Sequence, residues 1–577
     1  MDSLHLIDAI GPFFRDYDRR TINWSKIPWA HVDTQTAGPD ADVWWSRVRA
    51  DFEVICQKAS DWGFDALSID DVAHLADHDW LEPEVRSKIA RYQTEFRHLF
   101  DIAQRHGLAV YVTMDVFSAT PGLQQRLETD RVHPNAYLAA LLPAFFETFP
   151  QVRGIISRIG ESDGKDVRDD FHSQLVIQTP KQARQLLNDI LPVFEKAQRR
   201  LVFRTWTVGA YPIGDLMWNR RTFKETFDGI TSPALVISMK FGDSDFFRFL
   251  PLNKNFFRTK IPKIIELQTR REYEGCGEYP SFVGWDYERY VRELKQAENV
   301  IGCMVWSQTG GWVPFRRLAM LDPQAVWTDI NTFVTIKVVK EKLLVEQAVR
   351  LYAQRNGIAD SGALLELLRL SDEVIRELLY TEEFARQKLY FRRVRIPPTL
   401  QVYWGNVFIS HSVRKLMRHF VQDPETALRS AARCLDLLDR MKELAADCGL
   451  PVEDIEYMKD TFEILALARE YYFLPFTEEL QQRLRDAKSN YKKKYPKRGL
   501  RARYRIKMDF KPLILNRRHL SWAIQLLMRR RRGYRMVDRI VTLNLLSLVY
   551  RVIAKRRPHW IPQFARDSAM GVDVVFR

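Results

Sequence analysis

Residues 108–117 read LAVYVTMDVF. The run is apolar apart from Thr113 and Asp115, rich in β-branched and aromatic side chains, and it closes on a carboxylate. A strand buried on both faces has this composition, because neither side of it meets water. Immediately before it, Pro83–His106 carries a helical apolar period that opens on a proline. The same pairing of helix and strand recurs on either side. Candidate strands are Ile22–His31, Phe64–Asp70, Leu108–Phe117, Gly154–Gly160, Arg200–Val208, Ala234–Phe241, Pro262–Thr269 and Val300–Ser307. Their starts lie 28 to 46 residues apart, and helical stretches such as Val43–Trp62, Pro180–Arg199 and Tyr287–Glu298 fall between them. Eight apolar strands alternating with helices predict a (β/α)8 TIM barrel over residues 1–325. A doubly wound open sheet is the structural alternative, but no glycine-rich phosphate turn follows the first candidate strand.

Beyond Leu321 the strands give way to amphipathic helical periods at Glu341–Arg355, Ser361–Leu379, Glu383–Phe391, Pro424–Cys448 and Val452–Tyr472. Residues 326–480 therefore read as an all-α C-terminal domain, interrupted at Pro397-Pro398 by a loop holding Tyr403-Trp404-Gly405-Asn406. Residues 481–577 hold 27 Lys and Arg against five Asp, a charge of +22, whereas the other 480 residues carry 61 and 68, or −7. The overall +15 thus resolves into a mildly acidic body and a basic amphipathic helical tail. Such a tail is drawn to polyanions. Its basic clusters alternate with apolar stretches carrying Trp522 and Trp560, which suits an anionic membrane surface. Packing of the apolar face on the body is the plainer alternative. No nucleic-acid motif is present, and no nucleic-acid partner is expected.

In a barrel of this kind, function collects where the strands end. The second and third candidate strands end in Asp70-Asp71 and Asp115, and the fourth in Arg158-Ile159-Gly160-Glu161-Ser162-Asp163. The fifth ends in Arg204-Thr205-Trp206 and the sixth in Lys240-Phe241-Gly242-Asp243-Ser244-Asp245. Arg271-Glu272-Tyr273-Glu274-Gly275 follows the seventh, and Trp306-Ser307-Gln308-Thr309 the eighth. Carboxylates on separate strands with cations beside them suit glycosidic cleavage, which needs one protonated carboxyl and one carboxylate. Trp206 and Trp306 offer faces to sugar C–H groups, and Asp115, Arg158 and Asp243 offer hydroxyl partners. Each acid taken singly could instead be a helix cap or a neutralised barrel charge. Metal hydrolases need His-rich strand ends; only the first candidate strand has one, His31, so neither a metal nor a cofactor is expected.

These segments resemble the α-glucuronidases of glycoside hydrolase family 67, inverting enzymes with a helical domain after the barrel. The match covers residues 150–330 by motif and about 20–480 by architecture. That family has a Glu followed closely by Gly at the end of strand four, matched by Glu161 with Gly164. It has a Lys with an Asp five residues on, matched by Lys240 and Asp245. Its Gln-Glu-Tyr-x-Gly pattern matches 271–275 with Arg271 in place of Gln, and its Arg-x-aromatic matches Arg204-Thr205-Trp206. The resemblance implies that Glu161 protonates the leaving oxygen. It implies also that Asp245 and Glu272 position and deprotonate water, and that Lys240 and Arg204 contact the sugar. Asp243 and Asp163 would disfavour an anionic sugar, so the reaction class carries over better than the substrate.

The functional expectation is an inverting, exo-acting glycoside hydrolase trimming an oligosaccharide or polysaccharide, such as a bacterial surface glycan. A non-catalytic glycan-binding or regulatory protein on a glycosidase scaffold is the alternative; a glycosyltransferase lacks its nucleotide-sugar fold here. The helical domain offers a surface for homodimer formation. Five cysteines with no CxxC pair, and residues 1–20 without a continuous apolar segment, point to the cytoplasm, peripheral at the inner membrane face through the tail.

Overall fold

The computed structural model describes residues 3–19, 22–159, 169–173, 175–207, 211–387, 399 and 402–511, with 390–391, 394–395, 552–553 and 555–556. Eight parallel strands close a barrel: β1 (Leu4–Asp8), β2 (Ala66–Ile69), β3 (Ala109–Asp115), β4 (Val152–Arg158), β5 (Arg200–Arg204), β6 (Leu235–Lys240), β7 (Lys263–Gln268) and β8 (Val300–Trp306). Each pairs with its neighbours in sequence, and β1 pairs with both β2 and β8. The strands are buried almost throughout, which is why their sequences lack polar alternation. At the closing seam Leu4 registers with Gly302. A Cβ on Gly302 would lie 1.9 Å from the Leu4 carbonyl oxygen, so only glycine lets the first and last strands meet there.

Seven of the expected strands are present, within a few residues. The first is a correction. Of Ile22–His31 only Ile22–Asn23 is extended, paired antiparallel with Trp312–Val313, and His31 lies on the helix Trp29–Thr36. Pro28 has no N–H to give a ladder and stands where that helix begins. The true β1 is LHLID, five buried residues. Helices Ala41–Trp62, Pro83–Arg105, Pro180–Ala197 and Gly284–Leu294 lie close to expectation.

The domain after the barrel is built on Val345–Arg355, Ser361–Val374, Pro424–Asp447 and Val452–Phe473. The expected helix over 383–391 shrinks to Glu382–Ala385, followed by a two-residue strand at Tyr390–Phe391. The domain also holds a three-stranded sheet of Val402–Tyr403, Asn406–Ser410 and Arg505–Asp509. The opening of the expected basic tail belongs to this unit: Glu478–Lys494 is a helix with Leu480, Leu484 and Tyr491 buried, and Arg505–Asp509 is the third strand. Most of residues 512–577 lie outside the described residues. No helix among the described residues is long and apolar enough to cross a membrane.

Barrel and helical domain are joined by buried ion pairs. Arg317 Nη1 and Nη2 donate to Asp454 at 2.7 and 2.6 Å, and Trp327 Nε1 and Arg501 Nε donate to the same carboxylate at 2.8 Å each. On the loop after β7, Glu274 accepts from Arg248 and Arg271 and from the Tyr380 hydroxyl at 2.9 Å, while Arg248 also reaches Asp372.

Candidate active site

The loop after β7 is held rigidly because Arg271 and Glu274 form a buried pair within it. Glu272, between them, stands close enough to Asp245 for the two carboxyls to interact. Glu272 is 7% exposed, and its backbone amide donates to Gln268 Oε1 at 3.0 Å. Burial, and then the neighbouring Asp245 charge, push its pKa up to about 8, against the opposing pull of Lys240 and hydrogen bonds from Tyr273 and Gln268. Glu272 therefore holds its proton more tightly than an ordinary carboxyl.

Asp245 follows β6. Lys240 Nζ donates to its Oδ1 at 2.5 Å, the Tyr273 hydroxyl to its Oδ2 at 2.6 Å, and the Phe246 amide to Oδ1 at 2.9 Å. The Lys240 ammonium also stands 3.6 Å from the centroid of Trp206 and 4.3 Å from that of Phe246. A cation held over two rings and against one carboxylate keeps a fixed position. Two carboxyls thus stand just past the ends of adjacent strands, Asp245 paired with Lys240 and Glu272 buried with its pKa raised.

The remaining expected residues are already engaged within the barrel. Arg204 grips Glu266 with two hydrogen bonds, at 3.0 and 2.8 Å, and stacks on Trp306, whose Nε1 donates to Glu266 at 3.1 Å. Burial opposes ionisation of Glu266, but Arg204 more than compensates and lowers its pKa. Asp115 accepts from Arg158 Nε at 2.6 Å and Ser173 Oγ at 2.7 Å and pairs with Lys26 at 2.7 Å. Burial works against that charge too, yet Arg158 and Lys26 hold the carboxyl well below the usual range. Asp243 is fully buried. Arg204, Trp306, Asp115 and Arg158 therefore form a charged floor beneath the mouth. Asp71 caps the helix Val72–Leu75 by accepting from the His74 amide at 3.1 Å, and Trp285 packs near the start of Gly284–Leu294.

Glu161 and Asp163 lie outside the described residues. The residues just beyond that segment are anchored: Asp169 accepts from His74 Nε2 at 2.9 Å and Asp170 pairs with Lys88 at 2.6 Å. Burial would lower the His74 pKa, but Asp169 and Asp71 on its two sides raise it to about 10. Among the described residues no group of His, Cys, Asp and Glu is placed to hold a metal ion.

Glu266, Gln268, Tyr273 and Tyr403 escaped the sequence reading as site residues. A single Glu inside the apolar strand KIIELQ is the signal that marks Glu266. Tyr273 stacks on Phe247 at 4.2 Å and on Tyr403 of the helical domain at 5.5 Å, a contact that no local pattern announces.

No protein-family model matches the chain. No curated protein matches it either. Among solved structures it is similar to a GH138 enzyme targeting pectin rhamnogalacturonan II, at 11% identity and a TM-score of 0.49, over 82% of this chain and 58% of that one. It is also similar to a point mutant of a Thermobaculum terrenum O-GlcNAc hydrolase, at 10% identity and a TM-score of 0.39, over 77% of this chain and 86% of that one. The chain thus spans little more than half the length of the first of these.

Proposed function

We propose that this protein is a glycoside hydrolase, exo-acting and inverting, that trims a complex glycan with an active-site layout like that of the α-glucuronidases. The observation that carries this is the Asp245–Glu272 pair: two carboxyls just past the ends of neighbouring strands, Asp245 held by Lys240 and Tyr273, Glu272 buried with its pKa raised. Pairs of acids whose environments drive their proton affinities apart are how one site supplies both base and acid. Asp245, oriented by Lys240 and Tyr273, takes the proton from water as the water oxygen attacks the anomeric carbon. The bond to the leaving oxygen breaks as that oxygen receives a proton, in this assignment from Glu161. Glu272, neutral at working pH, donates a hydrogen bond that orients the water. Lys240 and Trp206 contact the sugar. A cytoplasmic setting, with the basic residues beyond 511 on an anionic membrane, belongs to the same proposal.

The raised proton affinity of Glu272 favours a second assignment, in which Glu272 itself protonates the leaving oxygen. Glu161→Gln, Asp245→Asn and Glu272→Gln, assayed on aryl glycosides and surface polysaccharides with NMR of the released anomer, separate the two. A collapse of poor-leaving-group substrates in Glu161→Gln alone supports the first; the same collapse in Glu272→Gln alone supports the second. Inversion requires the acid and base carboxyls to stand roughly 6.5–9.5 Å apart. If no glycan is hydrolysed, and binding is indifferent to all three changes, hydrolysis is ruled out.

A further inference from the structure

The strands Val402–Tyr403 and Asn406–Ser410 form a hairpin of the helical domain, joined by the two residues Trp404-Gly405. Both turn residues have positive φ, +41° at Trp404 and +68° at Gly405, the pattern of a type I′ turn. The first position of such a turn ordinarily takes Asn, Asp or Gly, and a bulky residue there is a genuine outlier. Asn406 fastens the turn by donating from Nδ2 to the Tyr403 and Trp404 carbonyls at 3.2 and 3.0 Å. The backbone would favour a small residue at 404, so what holds a tryptophan there is its side chain. Strain of this kind persists where the surroundings over-determine it, and it clusters at ligand clamps.

The hairpin delivers that side chain to the carboxyl pair. Tyr403 lies near enough to Asp245 and Glu272 for their carboxyls to act on its phenol, and it hydrogen-bonds Tyr273, which donates to Asp245. Trp404 stacks on Tyr273 at 6.1 Å and 22°, and meets Tyr403 at 4.3 Å and 44°. Two consecutive glycines after β8 fix the spacing. A Cβ on Gly310 would lie 3.1 Å from Glu272 Oε2, and one on Gly311 would lie 2.4 Å from Trp404 Nε1. With neighbouring Cα atoms ~3.8 Å apart and each Cβ ~1.5 Å from its Cα, carboxyl and indole stand within about 12 Å of each other, close enough for one disaccharide to reach both. Lys240, Trp206 and Glu272 are buried, whereas Tyr403 and Trp404 are only half-buried. A glycan whose terminal sugar sits among the buried groups would emerge past those two rings.

We propose that Tyr403 and Trp404 form a second sugar-binding subsite, a platform supplied by the helical domain for the pyranose on the leaving side of the cleaved bond. It rests on the hydrolytic reading above. An aromatic face takes the C–H side of a pyranose, and the cost of holding the ring is already met by its packing on Tyr273. The helical domain then contributes to substrate choice as well as to stability.

The test compares an aryl glycoside, whose leaving group has no sugar, with an oligosaccharide carrying the same terminal residue, in full-length Trp404→Ala and Tyr403→Leu. The ratio of kcat/KM for oligosaccharide over aryl glycoside should fall about tenfold in Trp404→Ala, and Trp404→Phe should recover part of it. An unchanged ratio overturns the subsite, since misfolding or loose packing lowers both substrates together. If Trp404→Ala does not fold, Tyr403→Leu and Trp404→Phe decide by the same ratio. If the wild type turns over neither substrate, hydrolysis fails, and quenching of tryptophan fluorescence by the oligosaccharide decides the subsite. Loss of that binding in Tyr403→Leu supports the platform, and unchanged affinity refutes it.

Discussion

Glu272→Gln removes an ionisable group without changing its shape, and its effect on stability should depend on pH in a way that can be worked out. A carboxyl with an ordinary value of 4.5, held at about 8 in the folded chain, binds its proton more tightly folded than unfolded. Between those two values the folded state holds more protons, so the wild type loses stability as pH rises through the window. At ~1.4 kcal/mol for each tenfold change in proton affinity, the loss is on the order of 5 kcal/mol once pH exceeds 8. Relaxation and water entry will make the measured value smaller. The glutamine variant has no such loss. Other buried acids, such as Asp329 at about 6, titrate in both proteins and cancel in the difference. Urea unfolding of wild type and variant at pH 5, 7 and 9 should therefore show a gap that widens steadily in favour of the variant. A gap equal at pH 5 and pH 9 would refute the claim that Glu272 is held neutral by its surroundings.

Asp245→Asn should cut hydrolysis by about 100- to 10,000-fold, with glycan binding retained, as measured by steady-state rates and titration calorimetry. It should also bring the Glu272 ionisation down from about 8, though not to 4.5, because burial outranks the Asp245 charge among its causes; isotope-edited infrared spectra of the carboxyl would follow this. Lys240→Met should move the same ionisation upward, since Lys240 is the charge opposing it, and should lower kcat through a misplaced Asp245. Asp454→Asn strips the shared partner from Arg317 and Arg501, and should cost about 3–5 kcal/mol in the unfolding transition that includes the helical domain.

Much of the barrel can be read from sequence because its strands are buried on both faces, which gives seven of the eight a recognisable apolar run. LHLID is hard to see in the sequence because five residues, two of them polar, carry little of that signal. The segment holding Trp24, Ile27 and Trp29 carries more, yet those side chains are buried in a loop and a helix. Apolar content reports burial, and it distinguishes strand from loop only over a longer run. Lys240, Asp245 and Glu272 stand out in the sequence because Lys240 closes a strand and the two acids follow strand ends. Glu266 does not, since its meaning comes from Arg204, 62 residues away. Nor does Tyr403, which reaches the mouth from another domain on a hairpin that a helical expectation does not contain.

The Asp8 carboxylate, at the end of β1, accepts from the amides of Ser307, Gln308 and Thr309 and from the hydroxyls of Ser307 and Thr309, at 2.6 to 3.1 Å. Its partner Ser307 lies 299 residues further along the chain. During synthesis the first strand must therefore wait for nearly the whole barrel to leave the ribosome before its seam and its carboxylate are satisfied. Contacts of such long range slow folding, and until they form the rim that carries Gln308 and Thr309 is not tied to the first strand. Assembly of the barrel mouth is thus tied to the last of the eight barrel strands, and a nascent chain stalled before residue 307 would present an open barrel edge for chaperones to cover.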